Sequence, residues 1–280
     1  MRLLVTGAAG MLGRDVVEAA RTAGHEVTGL GHHELYVTDP KAVRAAVASA
    51  RPHAAINCAA FTDVDGAEER YEDALAINGD GAGHVAAATA DAGAAVVQVS
   101  TDYVFDGTKS APYVESDQPA PASAYGRSKL DGEEAVVRAN PRHAIVRSSW
   151  LFGVGGPNFV ANMLRLGAEH DEVSVVTDQV GCPTFTGHLG PTLVSLAERE
   201  TTGLMHLAGS GWCSWHDFAV EIFREAGVDC RVEAASSAQL DRPAPRPAYS
   251  VLISERPDAP RLPSWRDGLA EFLAAREVAA

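Results

Sequence analysis

Along the first half of the chain, apolar positions fall in short unbroken runs, and Ala-rich stretches of helical periodicity stand between them. A run that is apolar at consecutive positions suits a strand covered on both faces, as in a parallel sheet. The pattern predicts strands at 2–6, 26–30, 54–57, 95–100 and 144–147 and helices at 11–23, 40–50, 71–78, 81–91 and 124–139. This alternation is the signature of βαβ units. Ala23-Gly24 and Ala92-Gly93 should close the first and fourth helices, because glycine takes the left-handed conformation that ends a helix.

Beyond about Trp150 the pattern loosens into Gly- and Pro-rich connections with isolated helices at 158–166, 187–198, 214–226 and 265–275. The expected fold is α/β, a Rossmann-type doubly wound parallel sheet with a smaller C-terminal substrate-binding region. Residues 1–152 form the dinucleotide-binding part, completed by parts of 185–228, and 153–280 mainly bind substrate. The Pro-rich stretch 242–247 is too short for a linker and reads as a stiff loop.

Composition narrows the partners. With 23 Lys+Arg against 37 Asp+Glu and a net charge of −14, the surface lacks the basic stripe that a nucleic acid polymer requires. A nucleotide remains compatible, since backbone N–H groups at a helix start can hold a phosphate. Cys58, Cys182, Cys213 and Cys230 are widely spaced with no CxxC pair, which fits free thiols in a reducing cytoplasm. No apolar run reaches the roughly 18 residues of a membrane span.

The first predicted strand runs into Gly7-Ala8-Ala9-Gly10-Met11-Leu12-Gly13 and then a helix. Glycines at such a turn permit close approach of the backbone to a pyrophosphate, while the helix start supplies N–H donors and partial positive charge. NADPH or NADH is therefore the expected cofactor. The second strand ends in Gly31-His32-His33-Glu34, with neither an aspartate for ribose hydroxyls nor an arginine for a 2′-phosphate, so the choice stays open.

Chemistry enters after the fourth strand. Ser100-Thr101-Asp102-Tyr103 lies at its C-terminal end, the edge where ligands sit in open α/β sheets. Tyr125-Gly126-Arg127-Ser128-Lys129 places a phenol and an ammonium four residues apart on one helical face. The cation should lower the phenol's pKa, making Tyr125 a usable proton donor to a carbonyl oxygen. The segment 57–65 follows the third strand and should lie along the cofactor. Glu68-Glu69, Glu133-Glu134 and Asp171-Glu172 are expected at the surface, since adjacent carboxylates rarely face one way. His188, His206 and His216 lack ligand spacing, and no metal site is predicted.

Over nearly its whole length the chain resembles the dTDP-4-dehydrorhamnose reductases, extended short-chain dehydrogenases of deoxysugar biosynthesis. The shared strings are the glycine loop, Asn57-Cys58-Ala59-Ala60-Phe61-Thr62-Asp63-Val64-Asp65, Ile77-Asn78, Ser100-Thr101-Asp102-Tyr103-Val104-Phe105-Asp106-Gly107, the Tyr125–Lys129 motif, Arg147-Ser148-Ser149-Trp150-Leu151-Phe152-Gly153, Asp178-Gln179-Val180-Gly181-Cys182-Pro183-Thr184 and Arg246-Pro247.

The resemblance implies reduction of the 4-keto group of a dTDP-6-deoxy-L-hexulose by NAD(P)H. It implies Tyr125 as the acid, Lys129 as its activator and ribose anchor, and Thr101 as hydroxyl partner of the carbonyl. It places Gly7, Gly10, Met11, Leu12, Gly13, Asn57, Ala59, Ala60, Thr62 and Ser100, with Tyr125 and Lys129, at the cofactor. Thr62, Val64, Thr101, Asp102, Tyr103, Trp150, Gln179 and Arg246 then meet the sugar nucleotide, Arg246 as the cation for its diphosphate. Tyr36 stands where the family usually has aspartate and Tyr249 where it usually has asparagine, which leaves a modified antibiotic-pathway sugar open as substrate. Some relatives use Mg²⁺ at a subunit contact, without a local signature here, and a homodimer is compatible. An epimerase or dehydratase that retains NAD, or a non-catalytic regulatory subunit, are the alternatives.

Overall fold

The computed structural model describes residues 1–279. Its centre is a six-stranded sheet in which every neighbouring pair is parallel. The strands are β1 (Arg2–Thr6), β2 (Glu26–Leu30), β3 (Ala54–Asn57), β4 (Ala95–Thr101), β5 (His143–Ser148) and, after the short pieces given below, β10 (Gly203–His206), in the order β10-β5-β4-β3-β1-β2. The chain runs outward from β1 to β2 and then crosses back to β3, so the direction of winding reverses between β1 and β3. That reversal opens a crevice at the C-terminal ends of these strands.

The unbroken apolar runs are explained by the two covered faces. Leu3 and Val5 of β1, with Ile56, Val97 and Val146, pack under α1 (Met11–Thr22) and the later helix α8 (Thr186–Glu198). Leu4, with Ala55, Val96 and Ile145, points the other way into α2 (Pro40–Ala50), α5 (Gly81–Asp91) and α6 (Ala124–Ala139). Burying each such Val, Leu or Ile contributes about 1.5–3 kcal/mol. A polar residue at any of these positions would lose one layer of the sandwich.

Helix boundaries follow local chemistry. Asp39 caps α2 by accepting from the N–H groups of Lys41 and Ala42, and Ser123 caps α6 through the Gly126 N–H. Gly24 and Gly93 adopt φ of 79° and 67°, as expected of helix-ending glycines. The predicted helix at 71–78 is instead divided. After the single turn α3 (Gly66–Glu69), α4 (Tyr71–Leu75) passes into a π-helical turn at Ala76–Asp80 that continues into α5. That turn brings the Asn78 carbonyl so close to α6 that a Cβ on Gly132 would sit 2.0 Å from it.

The C-terminal half builds a second core of Phe152, Phe218, Phe272 and Trp265. It is framed by short pairs and helices: β6 (Leu151–Phe152) with β9 (Thr184–Phe185), β7 (Glu172–Val176) with β12 (Arg231–Ala235), β8 (Val180–Gly181) with β11 (Cys213–Ser214), and α7 (Phe159–Glu169), α9 (Trp215–Ala226) and α10 (Trp265–Ala279). This half also lends the central sheet α8 and β10, which pairs with β5 from Gly203↔Ala144 to His206↔Arg147. β10 was not among the predicted strands. Its four residues, Gly-Leu-Met-His, are too few to display a period.

Candidate active site

Because the strands are parallel, Thr6, Asn57, Thr101 and Ser148 all end on one edge, and the loops that follow them wall a cavity of about 950 Å³. The glycine loop forms its floor. A Cβ on Gly7 would lie 2.6 Å from the Ala59 nitrogen, and one on Gly13 would lie 2.2 Å from the Gly7 carbonyl, so both positions exclude side chains for backbone packing. Gly10 differs, since its Cβ would meet only the Gly7 oxygen, at 3.2 Å. As N-cap of α1 it carries no side-chain cap, leaving the N–H groups of the first turn directed at the cavity that Met11, Leu12 and Gly13 line. This cradle fits a dinucleotide diphosphate.

The rest of the predicted cofactor set divides into wall and brace. Ala59, Ala60, Thr62 and Ser100 line the cavity. Asn57 lies behind it, buried, accepting from the Thr6 hydroxyl and the Ala59 N–H and donating to Gln98 at 2.7 Å. Beyond β2, His32, His33 and Tyr36 face the cavity, while Glu34 folds back to accept from the Gly31 N–H at 2.8 Å. The one carboxylate of that turn is therefore committed to the backbone.

α6 brings Tyr125 and Lys129 to the same cavity, opposite Thr101 on β4. Lys129 Nζ donates to the Val99 carbonyl at 2.7 Å. Burial lowers its pKa to about 8, with Glu133 and Cys58 opposing. Burial pushes Tyr125 up to about 12, with the Thr101 hydroxyl pulling the other way. Tyr125 is thus raised where a lowering was expected, with burial as the largest cause. Asp102 is 2% exposed, and burial lifts it to about 6 against the Ser250 and Thr101 hydroxyls.

Beneath these groups lies an ion pair that contradicts the surface placement expected for Glu133. Glu133 is buried and takes Arg147 Nε at 2.9 Å and Nη2 at 2.7 Å, along with the Ser100 hydroxyl. Positions 125, 129 and 133 share one helix face, which faces β4 and β5. Asn78 braces the other side, donating to Ser128 Oγ at 2.9 Å and accepting from the Phe61 N–H at 2.9 Å.

On the substrate side, Val64, Tyr103 and Trp150 line the cavity. Trp150 holds φ of 49°, unusual for a bulky residue, and its indole stacks on Trp215 at 3.5 Å and 3°. A Cβ on Gly181 would strike that indole at 2.4 Å. Trp215 escaped the sequence prediction, since nothing in its α9 context marks it off from core aromatics. Gln179 and Arg246 are not among the cavity-lining residues. Arg246 donates from Nη1 and Nη2 to Asp65 at 3.0 and 2.8 Å and from Nη1 to the Ala244 carbonyl at 2.9 Å.

The four cysteines are free, Cys182 and Cys213 buried and Cys58 and Cys230 half-buried. Among the described residues no group of three or more His, Cys, Asp or Glu could hold a metal, and no helix is long and apolar enough to cross a membrane.

A doubly wound parallel sheet, a glycine-loop cavity and a Tyr–Lys helix meeting it define an NAD(P)-dependent oxidoreductase of the extended short-chain dehydrogenase class. Within that class, the family model described as the RmlD substrate binding domain matches residues 1–278, and the chain belongs to this family. The chain is 45% identical to the dTDP-4-dehydrorhamnose reductase of Streptomyces griseus, over 98% of this chain and 93% of that protein. It is 42% identical to a probable dTDP-4,6-dihydroxy-2-methyloxan-3-one 4-ketoreductase of Streptomyces antibioticus, over 97% and 94%. Among solved structures, the dTDP-4-dehydrorhamnose reductase of Bacillus anthracis in complex with NADP superposes with a TM-score of 0.95 at 38% identity, covering 98% of this chain and 99% of that one.

Proposed function

We propose that the protein reduces the 4-keto group of a dTDP-6-deoxy-L-hexulose to the 4-hydroxy sugar with NAD(P)H, and that Tyr125, Lys129 and Thr101 carry the chemistry. The supporting observation is the meeting of these three side chains with the glycine-loop cradle in one cavity. Bound in the glycine-loop cradle, NAD(P)H would supply the hydride for the carbonyl carbon. Tyr125 gives its phenolic proton to the carbonyl oxygen, and Thr101 steadies that oxygen. Lys129, cationic and anchored on Val99, stabilises the phenolate left behind.

Trp150, held by Trp215 and Gly181, presents a flat apolar wall to the sugar, and Tyr103 borders it. The sugar is dTDP-4-dehydrorhamnose or a related dTDP-4-keto sugar, a reading supported by the similar identity to reductases named for different dTDP-keto sugars. The test is stoichiometry. NADPH absorbance should fall by one equivalent for each dTDP-4-keto-6-deoxyhexose converted to 4-hydroxy product. Turnover without net cofactor consumption would instead identify an epimerase or dehydratase.

A further inference from the structure

Thr101 has one hydroxyl proton and two lone pairs to distribute. One lone pair accepts from the Tyr103 N–H at 3.2 Å, and the proton goes to Asp102 Oδ1 at 3.0 Å. Toward Tyr125 and the cavity only a lone pair is left. Thr101 is then an acceptor on the side where a substrate carbonyl oxygen needs a donor. Asp102 itself lines the cavity at 2% exposure, and its Oδ2 is buried without a well-formed hydrogen bond. A carboxylate so placed is held at the expense of solvation, whereas a neutral carboxyl could donate to Thr101 Oγ.

We infer that Asp102 is a positioning residue that sets the direction of the Thr101 hydroxyl. In its neutral form it donates to Thr101 Oγ, whose lone pairs are then filled by Asp102 and the Tyr103 N–H, and whose proton turns to the carbonyl oxygen. Ionised, Asp102 keeps that proton for itself. No bond to carbon is made or broken by Asp102, and it hands no proton to the product. The proton that neutralises Asp102 is taken from solvent as the substrate binds and returns to solvent as the product departs. The proton of the new hydroxyl comes from Tyr125, which solvent then reprotonates.

The titratable groups facing Asp102 are the Tyr125 phenol on α6, the Tyr103 phenol on its own turn and the Cys182 thiol before β9, all raised by burial. None of them changes charge between pH 5 and 7. With Asp102 pushed up to about 6, the donating form is lost as pH rises through that value.

The inference rests on Thr101 and Tyr125 acting at the substrate carbonyl, and the test keeps the two apart. kcat/KM for NADPH-dependent reduction of a dTDP-4-keto-6-deoxyhexose is measured from pH 5 to 8 in wild type and Asp102→Asn. The wild type should lose about tenfold between pH 5 and 7, about fivefold of it above pH 6, as the donor is withdrawn. Asp102→Asn, whose amide donates to Thr101 at every pH, should lack this limb and bind NADPH as the wild type does. A wild-type profile flat through this range, or the same limb in Asp102→Asn, overturns the inference while the reductase stands. A wild type inert toward the sugar overturns both.

Should Asp102→Asn not fold, the wild type alone decides. Adding the keto sugar to the NADP⁺-loaded protein at pH 7 in weak buffer with an indicator should take up close to one proton per site, and no uptake overturns the inference.

Discussion

Lys129 is tied to Val99 by a 2.7 Å hydrogen bond from its ammonium to the strand carbonyl, so the helix that carries Tyr125 is fastened to the strand that carries Thr101. The ammonium is fully buried for this, and its pKa falls to about 8. Two consequences have opposite signs. Activity that needs the cation should decline as pH rises through about 8. Stability should behave conversely, because the unfolded lysine holds its proton to about 10.4 and the folded one releases it near 8. Between those values the unfolded state binds more protons, so stability rises with pH. Lys129→Met should therefore abolish most turnover and weaken NADPH binding, yet stabilise the fold at pH 7 by on the order of 1–3 kcal/mol. Denaturant melts at pH 7 and 10 check this, with the gain shrinking at the higher pH.

The glycine loop separates binding from folding. Gly13→Ala puts a Cβ 2.2 Å from the Gly7 carbonyl and should lower the melting temperature as well as cofactor affinity. Gly10→Ala meets only one atom, at 3.2 Å, and should leave the melting temperature within a few degrees while raising the Kd for NADPH about tenfold or more, by occupying the approach of the diphosphate. Calorimetry and fluorescence titration of the two variants give both quantities.

Both NADH and NADPH should serve, with less than roughly tenfold preference, because the end of β2 offers two imidazoles and a phenol while Glu34 is bound to the Gly31 N–H. His32→Arg should shift the ratio of kcat/KM values toward NADPH. An unchanged ratio would place that side chain away from the ribose.

Arg246 and Asp65 should behave as one unit. Ion pairing holds Asp65 down to about 2, so its stabilising effect is complete above the unfolded value near 3.9 and fades as pH falls toward 2. A double-mutant cycle with Arg246→Ala and Asp65→Asn should give a coupling of about 1 kcal/mol at pH 7, diminished at pH 3. Additive effects at pH 7 would show that the pair is incidental.

The first half of the fold was legible because consecutive apolar residues, helical Ala-rich stretches and glycine stops all specify the same βαβ order. In the second half the four helices were legible but the strands were not, for reasons visible in particular residues. β10 is four residues long, and β6, β8, β9 and β11 are two each, so their pairing is decided by tertiary packing alone. At the site, the motif residues at strand ends were placed correctly by topology. Glu133 was misplaced because sequence proximity to Glu134 suggested a solvated pair, whereas the helix turns one carboxylate toward Arg147 and leaves the other outside. Arg246, read as the cation for a diphosphate, is paired with Asp65, 181 positions away in the chain. Such long-range pairs leave no local trace.

The central claim is that Tyr125 protonates the carbonyl as hydride arrives. The most direct measurement is the single-turnover rate of NADPH oxidation with a dTDP-4-keto-6-deoxyhexose in Tyr125→Phe, alongside its Kd for NADPH. The expected result is a loss of about 10² or more in rate with the Kd unchanged, as for removal of a general acid from an intact site. A rate within a few-fold of wild type would contradict it and move the proton donor elsewhere in the cavity.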